Sequence, residues 1–324
     1  MTASATPTLN LIPIIVGPTA VGKTTVSILL AKRIHGEIIS ADSRQIYKHM
    51  NIGTATPDQS ELDQVPHHFV NELDLTETYT AGRFAKDGRA RINTILSRGK
   101  TPIVTGGAGL YIKALTRGLF EAPARNEEIR DRLYAEIRRH GAEHVYQRFR
   151  RLDPEYAADI HVNDVKKLVR ALEIHELTGK RPSEHFDRTH QPLDHPYRII
   201  GLHRNRRTLY DRINRRVDRM LEAGLPEEVK TILEKGYTGD ENALQTVGYQ
   251  EIIQYLRGEI SLDEATRQIR KHSRHYAKRQ LTWFRNQHQT RWFRFEDYEQ
   301  EEELVDDVFE YLQQEAESLG SGEY

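Results

Sequence analysis

The sequence predicts an α/β fold: a parallel sheet flanked by helices, with an all-helical subdomain inserted into it. Three observations carry this expectation. Gly17-Pro18-Thr19-Ala20-Val21-Gly22-Lys23-Thr24 spells G-x-x-x-x-G-K-[ST], the phosphate-binding P-loop, with an apolar run before it and a helical pattern after it. Strand and helix patterns then alternate as far as Gly109, which is the signature of parallel βαβ units. From Asn126 to about Gly179 nearly everything reads as charged helix.

Leu11 to Val16 reads as a buried strand leading into the P-loop, although Pro13 removes one ladder donor. Thr24 to Ile34 reads as a helix, with apolar residues at Val26, Leu29, Leu30 and Ile34 and Gly36 as its stop. Glu37 to Ser40 is a short strand, Ala85 to Arg98 a helix, and Thr101 to Thr105 a third strand ending in Gly106-Gly107-Ala108-Gly109. In the inserted region Ile129, Leu133 and Ile137 keep helical spacing, and Pro182, Pro192 and Pro196 mark the exit. Arg198 to Leu202 returns to the sheet as a strand. Helices follow from Leu209 to about Glu222, Leu225 to Lys235 and Leu262 to Arg285. Leu304, Val308, Tyr311 and Leu312 place a final helix in the acidic stretch from Glu299. The expected organisation is a discontinuous core of residues 1–120 and 198–298, an insertion of 121–197 and an acidic helix or tail of 299–324.

The chain has 324 residues, 37% hydrophobic and 29% charged, as an ordinary globular protein does. It has no cysteine, which excludes disulfides and thiolate metal sites and suits a reducing compartment. No leader pattern is visible in Met1 to Asn10, and no apolar run approaches the roughly 20 residues that span a membrane. The net charge of -1 hides an asymmetry. Arg267 to Arg294 carries basic residues and no acid, interleaved with Tyr276, Trp283, Phe284, Trp292 and Phe293, whereas Glu296 to Tyr324 carries acids and no Lys or Arg. Cations beside aromatics suit a nucleic-acid surface; a helix with a solvated basic face and core aromatics reads equally well.

In the P-loop, successive backbone N–H groups at a helix N-terminus face phosphate oxygens, Lys23 adds a point charge, and the Thr24 hydroxyl is placed for Mg²⁺. Asp42, in Asp42-Ser43-Arg44-Gln45-Ile46-Tyr47, stands at the carboxyl end of the second strand, the edge where open α/β sheets bind ligands. It reads as a water-mediated Mg²⁺ ligand, as a general base, or as a capping aspartate. The Gly106–Gly109 run admits close approach of a substrate, or is simply a tight turn. Arg212, Arg215, Arg216 and Arg219 share a helix face, and guanidinium forks there would clamp a diphosphate. Arg212 and Arg216 are the chosen pair, with Arg216 joining Lys23, Thr19 and Asp42 as the catalytic set. His67-His68 has no third ligand in view.

These motifs resemble the bacterial tRNA dimethylallyltransferases, also called tRNA isopentenyltransferases. The likeness rests on G-P-T-A-V-G-K-T, D-S-R-Q-I-Y, M-N-I-G-T-A (Met50–Ala55) and P-H-H (Pro66–His68). It continues through G-G-x-G-L-Y (Gly106–Tyr111), R-A-L-E-I (Arg170–Ile174), V-G-Y (Val247–Tyr249) and K-R-Q-L-T-W-F (Lys278–Phe284), in order from about residue 11 to 295. The resemblance implies a P-loop NTPase-like fold and transfer of a dimethylallyl group from dimethylallyl diphosphate to N6 of the adenosine next to the anticodon, with Mg²⁺. Gly17 to Thr24 would then hold the diphosphate and Thr24 would help place Mg²⁺. Asp42 matches the family's general base. Asp42, Ser43, Arg44 and Gln45 match residues that touch the target base. Lys166, Lys167 and Arg170, with Gln245, Gly248, Tyr249 and Gln250, match positions that contact tRNA.

Two departures stand out: Ala108, at a tRNA-contact position, replaces the usual Thr, and Val162 interrupts the usual I-H-P-N-D. The zinc finger of eukaryotic relatives is excluded by the lack of cysteine. The expected partners are the tRNA anticodon stem-loop and dimethylallyl diphosphate, with no membrane, for a cytoplasmic monomer. The competing readings are a small-molecule P-loop kinase, an isopentenyltransferase of free adenine nucleotides, and a non-enzymatic RNA-binding module.

Overall fold

The computed structural model describes residues 9–119, 123, 125–186, 191–286 and 289–321. Most of the Met1–Asn10 segment considered above for a leader lies outside these residues. In chain order come β1 (Ile12–Val16), α1 (Lys23–Arg33), β2 (Gly36–Ser40), α2 (Gln59–Leu62), β3 (His67–His68), α3 (Ala81–Leu96), β4 (Thr101–Gly106) and α4 (Gly109–Arg117). Five helices follow: α5 (Glu127–His140), α6 (Ala142–Leu152), α7 (Pro154–Ala158), α8 (Val165–Thr178) and α9 (Pro182–Phe186). The chain then forms β5 (Tyr197–His203), α10 (Arg206–Glu222), α11 (Leu225–Glu234), α12 (Tyr249–Leu256), α13 (Leu262–Arg285), β6 (Thr290–Arg294) and α14 (Glu301–Ser321). Two compact units result: one of the residues up to Leu115 with those from Asp194 onward, the other Thr116–Leu193. Both junctions fall a few residues earlier than the sequence suggested.

The first unit is built on one parallel sheet in the order β3-β2-β4-β1-β5-β6. β1 is apolar along its whole length and entirely buried, as a central parallel strand covered on both faces must be. Pro13 is tolerated for a specific reason. The Ile12 N–H donates to the Pro196 carbonyl on the β5 side at 2.8 Å, so Pro13 turns its missing donor toward β4. The β4 ladder begins only at Ile14. Because β1 has β4 on one side and β5 on the other, the loops after β1, β2 and β4 open at a topological switch point.

Two expectations are corrected here. Thr290–Arg294, read as part of a basic aromatic surface, is the edge strand β6, paired with β5 from Ile199↔Thr290 to His203↔Arg294. The acidic stretch is no separate tail: α14 belongs to the first unit and buries Leu304, Val305, Val308, Phe309 and Leu312 in the core that holds Leu30, Ile34 and Leu202. Each such side chain contributes about 1.5–3 kcal/mol on burial, far more than a solvated charged helix gains. Its acids also meet cations of the unit, with Arg33 on Asp306, Arg198 on Glu315 and Arg204 on Glu301.

The second unit has its own core of Leu133, Val145, Phe149, Ala157, Ile160, Leu168, Val169, Ala171 and Leu172. Asp153 is fully buried and caps two helices, accepting from Tyr156 N at 3.1 Å and Ser183 N at 2.8 Å. Glu173, also fully buried, accepts from Arg130, Arg170 and the Asn126 N–H.

His68 has a partner inside the first unit. Its Nε2 lies 2.7 Å from Glu37 and its Nδ1 3.0 Å from Arg91. Arginine only donates, so Nδ1 accepts and the proton sits on Nε2, facing Glu37. Arg98 and Lys100 complete the Glu37 shell at 2.7 and 3.0 Å. Burial alone would raise the Glu37 carboxyl, but the hydrogen bonds from His68 and Lys100 and the neighbouring cations outweigh it and hold it below 4.5. Glu37→Gln should therefore cost about 1–3 kcal/mol of stability at neutral pH. A depressed carboxylate contributes stability that is present above 4.5 and lost as the pH falls through the lower folded value. Urea midpoints of the two proteins should thus differ near neutrality and converge in acid; an equal gap at both would refute this reading of Glu37.

Candidate active site

The P-loop runs from the end of β1 into α1. Gly22 precedes the helix at φ 119, where a side chain would be strained, and an added Cβ would stand 2.8 Å from the Phe295 ring. The carbonyls of this loop find their donors in cations. Lys23 Nζ donates to Gly17 O and Pro18 O, both at 3.0 Å. Arg212 Nε donates to Ala20 O at 2.9 Å, and Arg204 Nε to Val21 O at 2.8 Å. Arg204 also stacks 3.5 Å over the Phe295 ring.

Arg216 reaches the loop from α10, with Nη1 3.2 Å from the Thr19 hydroxyl and Nη2 3.2 Å from Thr54 O. Burial lowers Lys23 to about 8; the Asp42 charge opposes this and the Arg216 charge adds to it. Burial likewise lowers Arg216 to about 10, again against Asp42. Thr19, Lys23, Arg216 and Asp42 thus form one electrostatic group. The Thr24 hydroxyl, half-buried in the first turn of α1, makes no hydrogen bond among the described residues. A lone neutral oxygen of this kind fits Mg²⁺, which keeps most of its shell as water and phosphate oxygens.

Asp42 is both a cap and something more. Its Oδ1 accepts from Arg44 N at 2.8 Å and Gln45 N at 3.4 Å, closing the turn after β2. Its Oδ2 accepts no hydrogen bond among the described residues, leaving a carboxylate oxygen to receive a proton. Gln45 does not point outward: it ties Ser40 to the 50–56 loop through Ala55 O at 3.0 Å. Arg44 donates to the carbonyls of Asn242 and Ala243, so it buttresses the turn that carries Gln245. Ser43 is half-exposed beside them.

The expected tRNA-contact set divides by burial. Gln245 and Gln250 are exposed and hydrogen-bonded to each other. Gly248 and Tyr249, by contrast, are buried in the free protein. The Tyr249 hydroxyl donates to Glu228 at 2.6 Å, and the same carboxylate accepts the N–H groups of Asn51, Ile52 and Gly53. These residues prop the loop that holds Arg216 at Thr54. Ala108 is half-exposed, its N–H on Ala41 O at 3.2 Å. The Gly107 turn beside it serves close protein packing, since a Cβ there would meet Gln280 at 2.1 Å.

In the second unit Lys166 and Lys167 are exposed in the first turn of α8, with Lys167 3.4 Å from Asp164, and Arg170 is committed to Glu173 and to Pro123 O. On α13 the expected basic stripe is redrawn: Arg270 and Arg274 turn to Asp218 and Asn214 of α10. The exposed set is Lys271, His275, Lys278 and Arg279, flanked by Tyr276 at 37% and Trp283 at 38% exposure. Phe284 and Phe293 are core, so the nucleic-acid reading and the bland one each hold for different residues.

Sequence reasoning missed Glu228 and gave Gln280, within K-R-Q-L-T-W-F, no role of its own. Gln280 left a further signal, as a polar residue on the face of α13 shared by Ala277 and Phe284.

Comparison with known proteins bears on this constellation. A family model described as IPP transferase matches residues 45–287. The chain is 47% identical over 276 residues to tRNA dimethylallyltransferase 1 of Syntrophotalea carbinolica, covering 84% of this chain and 88% of that protein. It is similar to the crystal structure of the tRNA isopentenylpyrophosphate transferase of Bacillus halodurans, with TM-score 0.71 and 38% identity over 96% of this chain and 99% of that one. A eukaryotic dimethylallyltransferase described as acting on tRNA matches with TM-score 0.72 and 29% identity, over 88% of this chain and 74% of that one.

The lowered Lys23 has a measurable consequence. Near pH 8 the free site holds a mixture of ammonium and amine, about 8 being its pKa. A bound diphosphate favours the ammonium, so its binding there should take up part of a proton. Calorimetry in two buffers of different ionisation enthalpy should give different heats for wild type and equal heats for Lys23→Ala; equal heats for wild type would refute the shift.

Proposed function

We infer that this chain, which belongs to the IPP transferase family, transfers a dimethylallyl group from dimethylallyl diphosphate to N6 of the adenosine next to the anticodon in tRNA. The observation that carries this reading is the placement of Asp42, with one unengaged carboxylate oxygen, in the field of the same Lys23 and Arg216 that line the P-loop. A leaving-group site and a base thus share one crevice. The relatives are named for tRNA, so the free-nucleotide and small-molecule kinase readings are set aside.

The adenine amine is a weak nucleophile, because its lone pair is delocalised into the ring. Its attack on C1 of the dimethylallyl group forms a C–N bond as the C–O bond to diphosphate breaks. Asp42 takes the amine proton. The electron pair leaves with the diphosphate, whose charge is met by P-loop N–H groups, Lys23 and Arg216, with Arg212 behind them. Thr24 would hold Mg²⁺, which when bound neutralises charge on the diphosphate. The base must leave its stack to reach Asp42, so the tRNA is read as a flipped-base substrate. Lys166 and Lys167 of the second unit are exposed, as are Lys271, Lys278 and Arg279 of the first, and each set by itself offers charge for phosphate contacts.

P-loop, base and arginines all come from a single chain, which supports a monomer as the catalytic entity. Among the described residues no helix is long and apolar enough to cross a membrane. A tRNA substrate supports a cytoplasmic reading.

Incubation with labelled dimethylallyl diphosphate and unmodified tRNA should move label into the RNA; phosphorylation of a small molecule from ATP instead would sink the reading. Asp42→Asn keeps a carbonyl oxygen to cap the turn yet cannot take the proton. It should lower kcat by about 10²–10⁴-fold with diphosphate affinity nearly unchanged, and near-normal kcat would leave Asp42 only a cap. Lys166→Ala with Lys167→Ala leaves the Glu173 network intact. This double variant should reduce the slope of log tRNA affinity against log salt by about 1–2 while sparing KM for dimethylallyl diphosphate, as a filter-binding salt series would show.

A further inference from the structure

Gln280 lies on α13 with only 6% of its surface exposed. Its side-chain amide bridges two turns. Oε1 accepts the N–H of Thr19 at 2.8 Å, and Nε2 donates to the carbonyl of Gly107 at 3.0 Å. These partners fix the amide's orientation, since an N–H needs an acceptor and a carbonyl needs a donor. An added Cβ on Gly107 would stand 2.1 Å from Nε2, so this turn is shaped to the amide. Thr19 passes the constraint on: its N–H is turned toward Gln280, and its hydroxyl lies 3.2 Å from Nη1 of Arg216.

We propose that Gln280 is a positioning residue for the transfer: by clamping Thr19 of the P-loop to the turn after β4, it sets the Thr19 hydroxyl and, through it, the direction from which Arg216 meets the departing diphosphate. This rests on the transfer reading above. Gln280 itself touches no reacting atom. A displaced guanidinium loses transition-state charge stabilisation, because such donors act only when aimed in advance.

Two substitutions separate positioning from bulk. Gln280→Leu fills similar space and loses both bonds, together with the contact between Gln280 and the Tyr276 hydroxyl. Gln280→Glu keeps the acceptor for Thr19 and can donate to Gly107 only when its carboxyl is protonated; when ionised it sets oxygen against oxygen. Asp42, Lys23, Arg216 and Tyr276 stand nearby in both proteins, so activity is read as the ratio of variant to wild type at each pH. Gln280→Leu should lower kcat about 10–100-fold with KM for tRNA within about twofold. The Gln280→Glu ratio should rise as the pH falls, since only the protonated carboxyl can donate to the Gly107 carbonyl. A flat ratio across pH, or a Leu variant with near-normal kcat, would overturn the proposal.

Should Gln280→Leu fail to fold, Gly107→Ala tests the same contact from the other side. It should impair transfer when Gln280 is present and cost little more when residue 280 is Ala; an equal cost in both backgrounds overturns the clamp. Binding of inorganic diphosphate separates this proposal from the transfer reading. If wild type moves no prenyl label, about tenfold weaker diphosphate binding by Gln280→Leu still upholds the clamp, and unchanged binding refutes it.

Discussion

The carbonyls of the P-loop need donors, and the first unit is arranged around where they find them. Gly17 and Pro18 are taken by Lys23, Ala20 by Arg212 and Val21 by Arg204. All three donors are cationic, so the same contacts that shape the loop give the crevice a positive field. Backbone satisfaction and electrostatic preorganisation are here one arrangement. Asp42 is the counterweight, and its field keeps Lys23 and Arg216 from losing still more of their basicity to burial.

Concentrating so many cations is costly unless acids stand behind them, and the acidic C-terminal stretch supplies these. Glu301 pairs with Arg204, and Glu296 accepts the Asn205 N–H at 2.7 Å just where α10 begins. Asp306 and Glu315 meet Arg33 and Arg198 farther along α14. The acids of the C-terminal stretch are thus paired inside the first unit. Among the described residues Lys278 and Arg279 form no ion pair and are exposed. The acidic block of the sequence is a packed layer, and the basic block is divided between paired and open cations.

Local patterns were legible in the sequence because local rules generate them. The P-loop, the turn at Asp42, the central strands and the helical insertion each announce themselves within a dozen residues. β6 did not, since T-R-W-F-R alternates too weakly to declare a buried face, with only Phe293 in the core. The distinction between exposed Gln245 and buried Tyr249 was equally hidden, for it depends on Glu228 of another helix. Gln280 acts on Thr19 across 261 positions and on Gly107 across 173, distances at which no sequence window sees a pair. Residues that would touch the substrate could be read from motifs, whereas those that hold them in place could be found only in three dimensions.

The covering of β1 and α1 by elements far along the chain has a consequence for biosynthesis. The P-loop segment emerges from the ribosome early, while its flanking strand β5 and covering helix α14 come much later. At about 5–20 residues per second, roughly 15–60 s separate β1 from the start of α14. During that interval Leu30, Ile34 and their neighbours lack the apolar face that later seals them. The insertion is contiguous in sequence and carries its own core, so it need not wait. The nascent chain can therefore complete the helices of the insertion before its phosphate pocket, and for that interval the exposed apolar surface lies on the P-loop half.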